Sequence, residues 1–303
     1  MVETSRLRFL QAVHRCGAVG AAARQLGYTP SAVSQQIGKL EREVGLPLLE
    51  PAGRGVVLTD AALVLVEAAA AIDQAREQAN GRIEELLGVA SGETVGTVSV
   101  ACFPSAIRGV AAPALGSLAQ AAPRLRVDLV ELAPEPALEA VVSGRVDVAV
   151  VHDWVHDRTT FPASLETTHL ADDPVDLLVP AGHPLAGRRT ARLEETVDDV
   201  WVTDVSNGIC TRWILDMLRA AATEPRVDFR VEEYASQVAL VAAGLCVCVL
   251  PRLGRPDLPG TVRAISLEGP VPTRRFIAAH RTTTSRRPAV QLLVEALQAQ
   301  VSG

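Results

Sequence analysis

The stretch Tyr28–Gly45, YTPSAVSQQIGKLEREVG, joins a Thr-Pro pair to a short pattern rich in small, hydroxyl and amide side chains. Thr29 is suited to cap a helix. Pro30 is suited to the first helical position, where its missing N–H costs no hydrogen bond. Apolar residues then recur at helical spacing over 33–44, and Gly45 ends the pattern. The stretch therefore predicts a capped helix with one apolar face.

Two shorter helical patterns precede it. The first covers 5–15 and is broken by Gly17, and the second covers 18–26 and ends at Gly27. Two helices joined by a tight turn, over about 25 residues, are typical of a helix-turn-helix unit.

The outward face of the third helix predicts a DNA contact. If its apolar residues face inward, Ser31, Ser34, Gln35 and Lys39 face outward. Small side chains let a helix approach the floor of the major groove, and Gln35 can bond an adenine edge in two places. Lys39 and the first-turn N–H groups suit phosphates. The alternative is an ordinary solvated helix face.

Bulk composition is consistent with a soluble chain of more than one domain. The chain has 303 residues, 48% hydrophobic content and a net charge of −6. Residues 1–60 hold seven basic and five acidic residues, so the acidity lies further along. Because no apolar run is long enough to cross a bilayer and the start lacks a secretion signal, we expect a cytoplasmic protein.

The segment from Arg6 to Ala62 resembles the DNA-binding segment of the LysR-type transcriptional regulators. The resemblance is carried by AVSQQIGKLE, then VGLPLL, then VVLT, and it extends more loosely over nearly the whole chain. It implies that the helix with the matching serines enters the major groove and that a short β-wing follows. Arg54 matches the arginine with which that wing contacts DNA.

The wing departs from the family pattern at two positions. Pro51 stands where the family usually has an arginine, and Leu49 where it has an aromatic residue. Losing one wing arginine should weaken phosphate attraction and its salt dependence. The predicted DNA-binding residues are Thr29, Pro30, Ser31, Ser34, Gln35, Lys39 and Arg54.

A long helix is predicted over 60–88, capped by Thr59. Its seam positions, in steps of three and four, are 62, 65, 69, 72, 76, 79, 83 and 86, all apolar except Arg76. Such a helix is about 40 Å long and can pair two chains. The alternative is a helix packed on its own domain. The resemblance favours pairing, because family members dimerise through this helix and often form tetramers.

From residue 95 onward, strand and helix patterns alternate, which predicts a mostly parallel sheet in two similar α/β units. The resemblance implies an effector-binding domain similar to a periplasmic binding protein. We expect domains at 1–59, 60–88 and 95–303. Within the last, lobe I covers about 95–169 and 275–303, and lobe II about 170–274. The first crossover is expected near Leu170 and the return near the segment EGPVPT.

Ligands of open α/β sheets bind beyond the carboxyl ends of strands, here between the lobes. Residues at these strand ends also match the family's effector pocket. The predicted effector-binding residues are Phe103, Pro104, Ser105, Val151, His152, Asp153, Ser206, Asn207, Tyr234 and Ala235. Ser105, His152 and Asn207 are expected to hold a small carboxylate or amide. The alternative for each is an ordinary polar loop residue.

Two sharper hypotheses concern metals and thiols. HDWVHD, 152–157, holds two histidines four apart, but it ends a strand rather than lying on a helix, so no metal site is predicted. Cys210 in SNGICTR loosely matches the reactive cysteine of peroxide-sensing family members. Arg219 stands where the resolving cysteine would be expected, so a switch would need a distant partner such as Cys102, or glutathione.

Together these observations predict an α + α/β chain: a winged helix-turn-helix head, a linker helix and a two-lobed effector domain. We expect a LysR-type regulator that binds operator DNA as a homodimer or homotetramer under control of a small effector, without cofactor, metal or catalysis. The alternatives are a redox sensor acting through Cys210 and a solute-binding or enzymatic α/β protein that does not bind DNA.

Overall fold

A computed structural model describes residues 2–52, 55–91, 93–155, 157–205, 209–220, 224–269 and 271–301. Inside helices, the side chains of residues 85, 87–91, 209, 210 and 217 are not described. The chain divides into two compact units, Met1–Asn80 and Gly81–Gly303. No helix of the described residues combines the length and apolar character needed to span a membrane.

The smaller unit begins with three helices, α1 (Thr4–Cys16), α2 (Val19–Leu26) and α3 (Pro30–Val44). Each ends where the sequence predicts, because Gly17, Gly27 and Gly45 adopt left-handed φ angles of 65°, 71° and 77°. A glycine reaches this conformation without the steric cost of a Cβ. The apolar faces meet in one core, which includes Leu10, Val13, Ala22, Val33, Ile37 and Leu40.

A two-stranded antiparallel wing follows, made of β1 (Leu49–Ala52) and β2 (Gly55–Leu58). The long helix α4 runs over Asp60–Ser91. Thr59 caps it as predicted, because its Oγ1 accepts the Ala62 N–H at 3.2 Å.

The larger unit is built on an eight-stranded sheet with a further two-stranded sheet beside it. Its strands are β3 (Gly96–Cys102), β4 (Leu125–Glu131), β5 (Val148–Trp154), β6 (Leu165–Pro180), β7 (Thr190–Ala191), β8 (Val200–Thr203), β9 (Arg226–Arg230), β10 (Cys248–Pro251), β11 (Val262–Leu267) and β12 (Thr273–Arg281). Its helices are α5 (Pro104–Ala106), α6 (Ala112–Ala121), α7 (Pro134–Val142), α8 (Ile209–Ala220), α9 (Tyr234–Ala242) and α10 (Pro288–Val301).

Strand β6 belongs to both halves of this unit. Its first part pairs with β12 as far as Pro174, and from Val175 onward it pairs with β10 and β11. The crossover was expected near Leu170, and in the structure the change of partner strands lies a few residues later, between Pro174 and Val175. The β6–β12 register shifts between His169 and Ala171, so Leu170 is the extra residue of a bulge and the strand continues for several residues.

The return lies between β11 and β12, where the EGPVPT segment was expected to provide it. In the first half, α6 and α10 cover one face of the sheet and α7 covers the other. In the second half, α8 and α9 lie in separate apolar clusters. Each half thus has its own core, joined through β6.

Three segments differ from the sequence-based expectation. Residues 107–121 have a helical sequence pattern, but the structure begins there with a π-helical turn at Ile107–Ala111 and becomes α-helical only at Ala112. Strand β11 was not predicted, and neither was the part of β6 before Val175.

Candidate nucleic-acid interface and effector site

The start of α3 is fixed by a side-chain cap. Thr29 has extended backbone angles, and its Oγ1 accepts the Ala32 N–H at 3.2 Å. The same oxygen lies 3.0 Å from Ser31 Oγ, and Pro30 occupies the first turn. Thr29 and Pro30, which the sequence predicts at the start of the third helix, therefore begin α3 in the structure.

One face of α3 is apolar and buried, and the other is polar and exposed. Val33 and Leu40 are fully buried and Ile37 is 3% exposed. Ser31, Ser34, Gln35 and Lys39 are exposed, as are Thr29 and Pro30. The neighbouring Gln36 instead faces α1, where its Oε1 accepts a hydrogen bond from Arg6 Nε at 3.3 Å. The structure thus presents six of the seven predicted DNA-binding residues to solvent, and Arg54 lies outside the described residues.

The linker helix α4 has one buried and one exposed apolar side. Ala62 and Ala69 are buried in the core of the smaller unit. In contrast, several large apolar side chains are exposed by 40% to 65%, namely Leu63, Val64, Ile72, Ile83 and Leu86. By helical geometry Val64, Ile72, Ile83 and Leu86 share one side of α4, whereas Leu63 lies away from it, and an exposed apolar stripe of this kind suits association with another helix.

Ser105, predicted to hold a carboxylate, is engaged by a buried arginine. Ser105 is 4% exposed, and Arg274 Nη1 donates to its Oγ at 3.0 Å. Arg274 is itself 2% exposed and pairs with Asp173 at 2.6 Å. The Asp173 carboxylate also accepts the backbone N–H groups of Arg252 and Leu253 at 2.9 and 2.8 Å. The hydroxyl therefore belongs to a buried ionic network.

Val151 and Asp153 point away from His152, because successive residues of a strand face opposite sides of the sheet. Val151 lies in the core under α7. Asp153 is 2% exposed and accepts Arg275 Nε at 2.8 Å and the Thr159 N–H at 3.0 Å. The sequence assigned residues 151–153 to one pocket. In the structure, their side chains do not share one surface.

His152 lies among aromatic rings. Its ring centroid is 4.8 Å from that of Phe103 and 6.1 Å from that of Trp154, both edge-to-face. Its buried Nδ1 has no hydrogen-bond partner among the described residues. Burial, with a further contribution from the Arg274 charge, lowers the pKa of His152 to about 3. The imidazole is therefore neutral at physiological pH.

Tyr234 and Ala235 begin α9, and Glu233 caps that helix by accepting the N–H groups of Ala235 and Ser236. The guanidinium of Arg108 lies 6.0 Å from the Tyr234 ring, and its Nε donates to Gly254 O at 2.8 Å. Tyr234, in the second half, therefore lies close to Arg108, which belongs to the π-helical turn of the first half. Ser206, Asn207 and the Cys210 side chain lie outside the described residues.

Two of the described thiols, Cys102 and Cys246, are poor candidates for a redox switch. Burial raises the pKa of Cys102 to about 12 and that of Cys246 to about 11. A thiol becomes reactive as its thiolate, so Cys102 is a poor partner for Cys210. Among the described residues, no group of three or more His, Cys, Asp or Glu side chains could hold a metal ion.

Sequence reasoning missed Arg274 and Arg275, which organise the start of β12. Their signal was present, because two adjacent arginines at the beginning of a strand must face opposite sides and each needs a partner if buried. Arg108 at the turn before α6 was also missed.

A surface pocket of about 350 Å³, lined by Leu193, Trp213 and Leu267 with charged neighbours, lies in the second half of the larger unit.

The polar face of α3, the wing and the two-part α/β body define a DNA-binding transcriptional regulator with an effector-binding domain. The family models agree: residues 4–63 match the bacterial regulatory helix-turn-helix protein, lysR family, and residues 91–302 match the LysR substrate binding domain. The chain belongs to the LysR family.

Three known proteins illustrate the similarity. The probable HTH-type transcriptional regulator LrrA of Synechococcus elongatus is 29% identical over 282 residues, covering 91% of this chain and 89% of LrrA. Full-length OxyR of Pseudomonas aeruginosa, in a cysteine-to-aspartate variant, gives a TM-score of 0.63 at 21% identity and covers 98% and 95% of the two chains. Full-length CbnR complexed with its target DNA gives 0.55 at 22% identity, covering 99% and 100%. The structural matches support the fold.

Proposed function

We propose that this regulator reads its operator through the exposed face of α3, as a homodimer or homotetramer paired through α4. The observation that carries this proposal is the separation of α3 into a buried apolar face and an exposed face of Ser31, Ser34, Gln35 and Lys39. Residues 1–59 would form the reading head, 60–88 the dimerisation helix and 95–303 the effector-binding domain. Such a protein would work in the cytoplasm.

A small molecule bound between the halves of the larger unit would control operator binding. The neutral His152, the ring of Phe103 and the start of α9 at Tyr234 are the described groups that support a pocket there. A carboxylate stays the predicted type of effector. Ser105 Oγ, one of the groups predicted to hold it, accepts a hydrogen bond from Arg274. The mechanism is a shift of population towards the arrangement that the effector binds more tightly.

Family membership favours this function over that of a solute-binding protein without DNA affinity. A thiol switch at Cys210 is the second candidate from sequence. The high pKa of Cys102 weighs against that thiol as its partner within the chain, and a small thiol such as glutathione is the other partner proposed from the sequence.

The base-reading role is tested by two adjacent glutamines. Wild-type protein is first used to select duplexes from a random pool, and anisotropy then measures its affinity for a selected and a scrambled duplex. Gln35→Ala should reduce the preference for the selected duplex about tenfold, because a bidentate base contact is lost. Gln36→Ala should leave that preference unchanged, because its side chain contacts Arg6. Equal preference ratios in both variants would contradict the assigned face.

A further inference from the structure

Arg8, Phe9 and Tyr28 form a cluster, called here the Arg8 cluster, on the smaller unit. The Arg8 guanidinium lies 4.8 Å from the centre of the Phe9 ring and 5.6 Å from that of Tyr28. Arg8 Nη2 donates to the Tyr28 hydroxyl at 2.9 Å. Phe9 and Tyr28 meet edge-to-face with centroids 5.3 Å apart. The guanidinium is therefore held in place by two rings and a hydrogen bond.

Arg8 differs from its neighbour Arg6 in how its charge is compensated. Arg6 forms ion pairs with Glu3 and Glu43. Arg8 is exposed and forms no ion pair within the part of the chain that the structure describes. Its contacts there are with rings and a neutral hydroxyl, so the charge and the remaining N–H donors stay available to an outside anion.

The Arg8 cluster is tied to the beginning of α3. Tyr28 is 45% exposed and immediately precedes Thr29, the residue that caps this helix. The Tyr28 N–H is held by Ala23 O at 2.9 Å, and Gly27 has a left-handed φ of 71°. The backbone on either side of the ring is thus fixed, and the ring fixes the guanidinium beside the proposed reading helix.

We propose that Arg8, held by Tyr28, binds a phosphodiester of the DNA backbone next to the groove that α3 enters. This inference rests on the proposed function and adds a residue from α1 to the interface. A guanidinium fork matches two phosphate oxygens, and a stacked fork has less rotational freedom to lose on binding. Contacts to phosphate position a protein on the duplex without reading its sequence.

The salt dependence of binding to a mixed-sequence duplex of about 40 base pairs tests this proposal without knowledge of the operator. Affinities of full-length wild-type protein, Arg8→Ala, Tyr28→Phe and Arg126→Ala are measured by anisotropy between about 50 and 200 mM KCl. Arg126 lies in the larger unit and is exposed, so its removal matches the change in net charge. Thermal melts confirm that each variant is folded.

Arg8→Ala should weaken binding about tenfold and reduce the slope of log affinity against log salt by about 0.9 per head. Tyr28→Phe should give a smaller loss with the charge still present, and Arg126→Ala should resemble wild type. A loss of affinity in Arg8→Ala without a change in slope, or no loss at all, would overturn the proposal, because the cluster would then only support packing. If wild-type protein bound no duplex, the proposed function itself would fail.

Discussion

The arginines of the two units are used differently. In the smaller unit, Arg8 is stacked on rings and exposed without an ion pair among the described residues. In the larger unit, Arg274 and Arg275 are matched to Asp173 and Asp153 at 2.6 and 2.5 Å. Arg6 of the smaller unit is paired with Glu3 and Glu43, so Arg8 is the arginine whose charge we propose is left for an external partner, whereas Arg274 and Arg275 are compensated within the larger unit.

The largest effect is expected from breaking the buried pair. Asp173→Ala leaves Arg274 charged and buried, and removes the acceptor of two backbone N–H groups. We expect a loss of about 3–5 kcal/mol in the free energy of unfolding of the larger unit. Urea unfolding followed by tryptophan fluorescence measures this directly, because all three tryptophans, Trp154, Trp201 and Trp213, lie in that unit.

Two controls sharpen this prediction. Asp128→Ala removes the carboxylate of an exposed pair with Arg126 and should change little. The double variant Asp173→Leu with Arg274→Met should recover much of the lost stability, because no unpaired charge stays buried. Equal stability of Asp173→Ala and Asp128→Ala would show that the buried pair does not support the unit. Affinity of Asp173→Ala for a mixed-sequence duplex should match that of wild type while the protein is folded.

The next effect is expected at a close approach of two backbones. A Cβ on Gly109 would lie 2.5 Å from Gly254 N, and one on Gly254 would lie 1.9 Å from Ser105 O. Gly109→Ala should therefore destabilise the larger unit by about 1–3 kcal/mol, because the π-helical turn must move away from the segment after β10. The same fluorescence measurement applies.

Gly116 supplies the matched control on the same stretch of helix. Nothing lies within 4 Å of a Cβ built there. Gly116→Ala should raise stability by up to about 1 kcal/mol, because alanine is the better helix former. If Gly109→Ala and Gly116→Ala raised the free energy of unfolding equally, that result would contradict the close approach of Gly109 to Gly254.

The head was predictable because its signals are local. The glycine ends of α1, α2 and α3, the caps at Thr29 and Thr59, and the buried face of α3 each depend on residues within a few positions of one another. Helical periodicity then decides which side chains face outward. The exposed positions of Ser31, Ser34, Gln35 and Lys39 followed from that periodicity.

The body was less predictable because its decisive contacts are distant in sequence. Ser105 is bonded by Arg274, 169 positions away, and Asp153 by Arg275, 122 positions away. The run 151–153 was assigned to one pocket, although strand alternation already separates His152 from its neighbours. The first part of β6 is polar and lacks the apolar run by which a buried strand is predicted. The sequence also gives no sign that the strand continues through the bulge at Leu170.

The smallest effect is expected from His152 and depends on pH. Its pKa in the folded protein is lowered to about 3, whereas an unfolded histidine has a pKa of about 6.5. At pH values between these two pKa values, the histidine binds a proton in the unfolded chain but not in the folded chain. The free energy of unfolding therefore falls as pH falls. From pH 7.5 to 5.5 the wild-type protein should lose about 1 kcal/mol more than His152→Gln. Because His152→Phe also removes the proton site, it should show the same reduced dependence, even if its stability at pH 7.5 differs. Tryptophan-detected unfolding at the two pH values measures all three proteins, and an undiminished pH dependence in both variants would place the titrating group elsewhere.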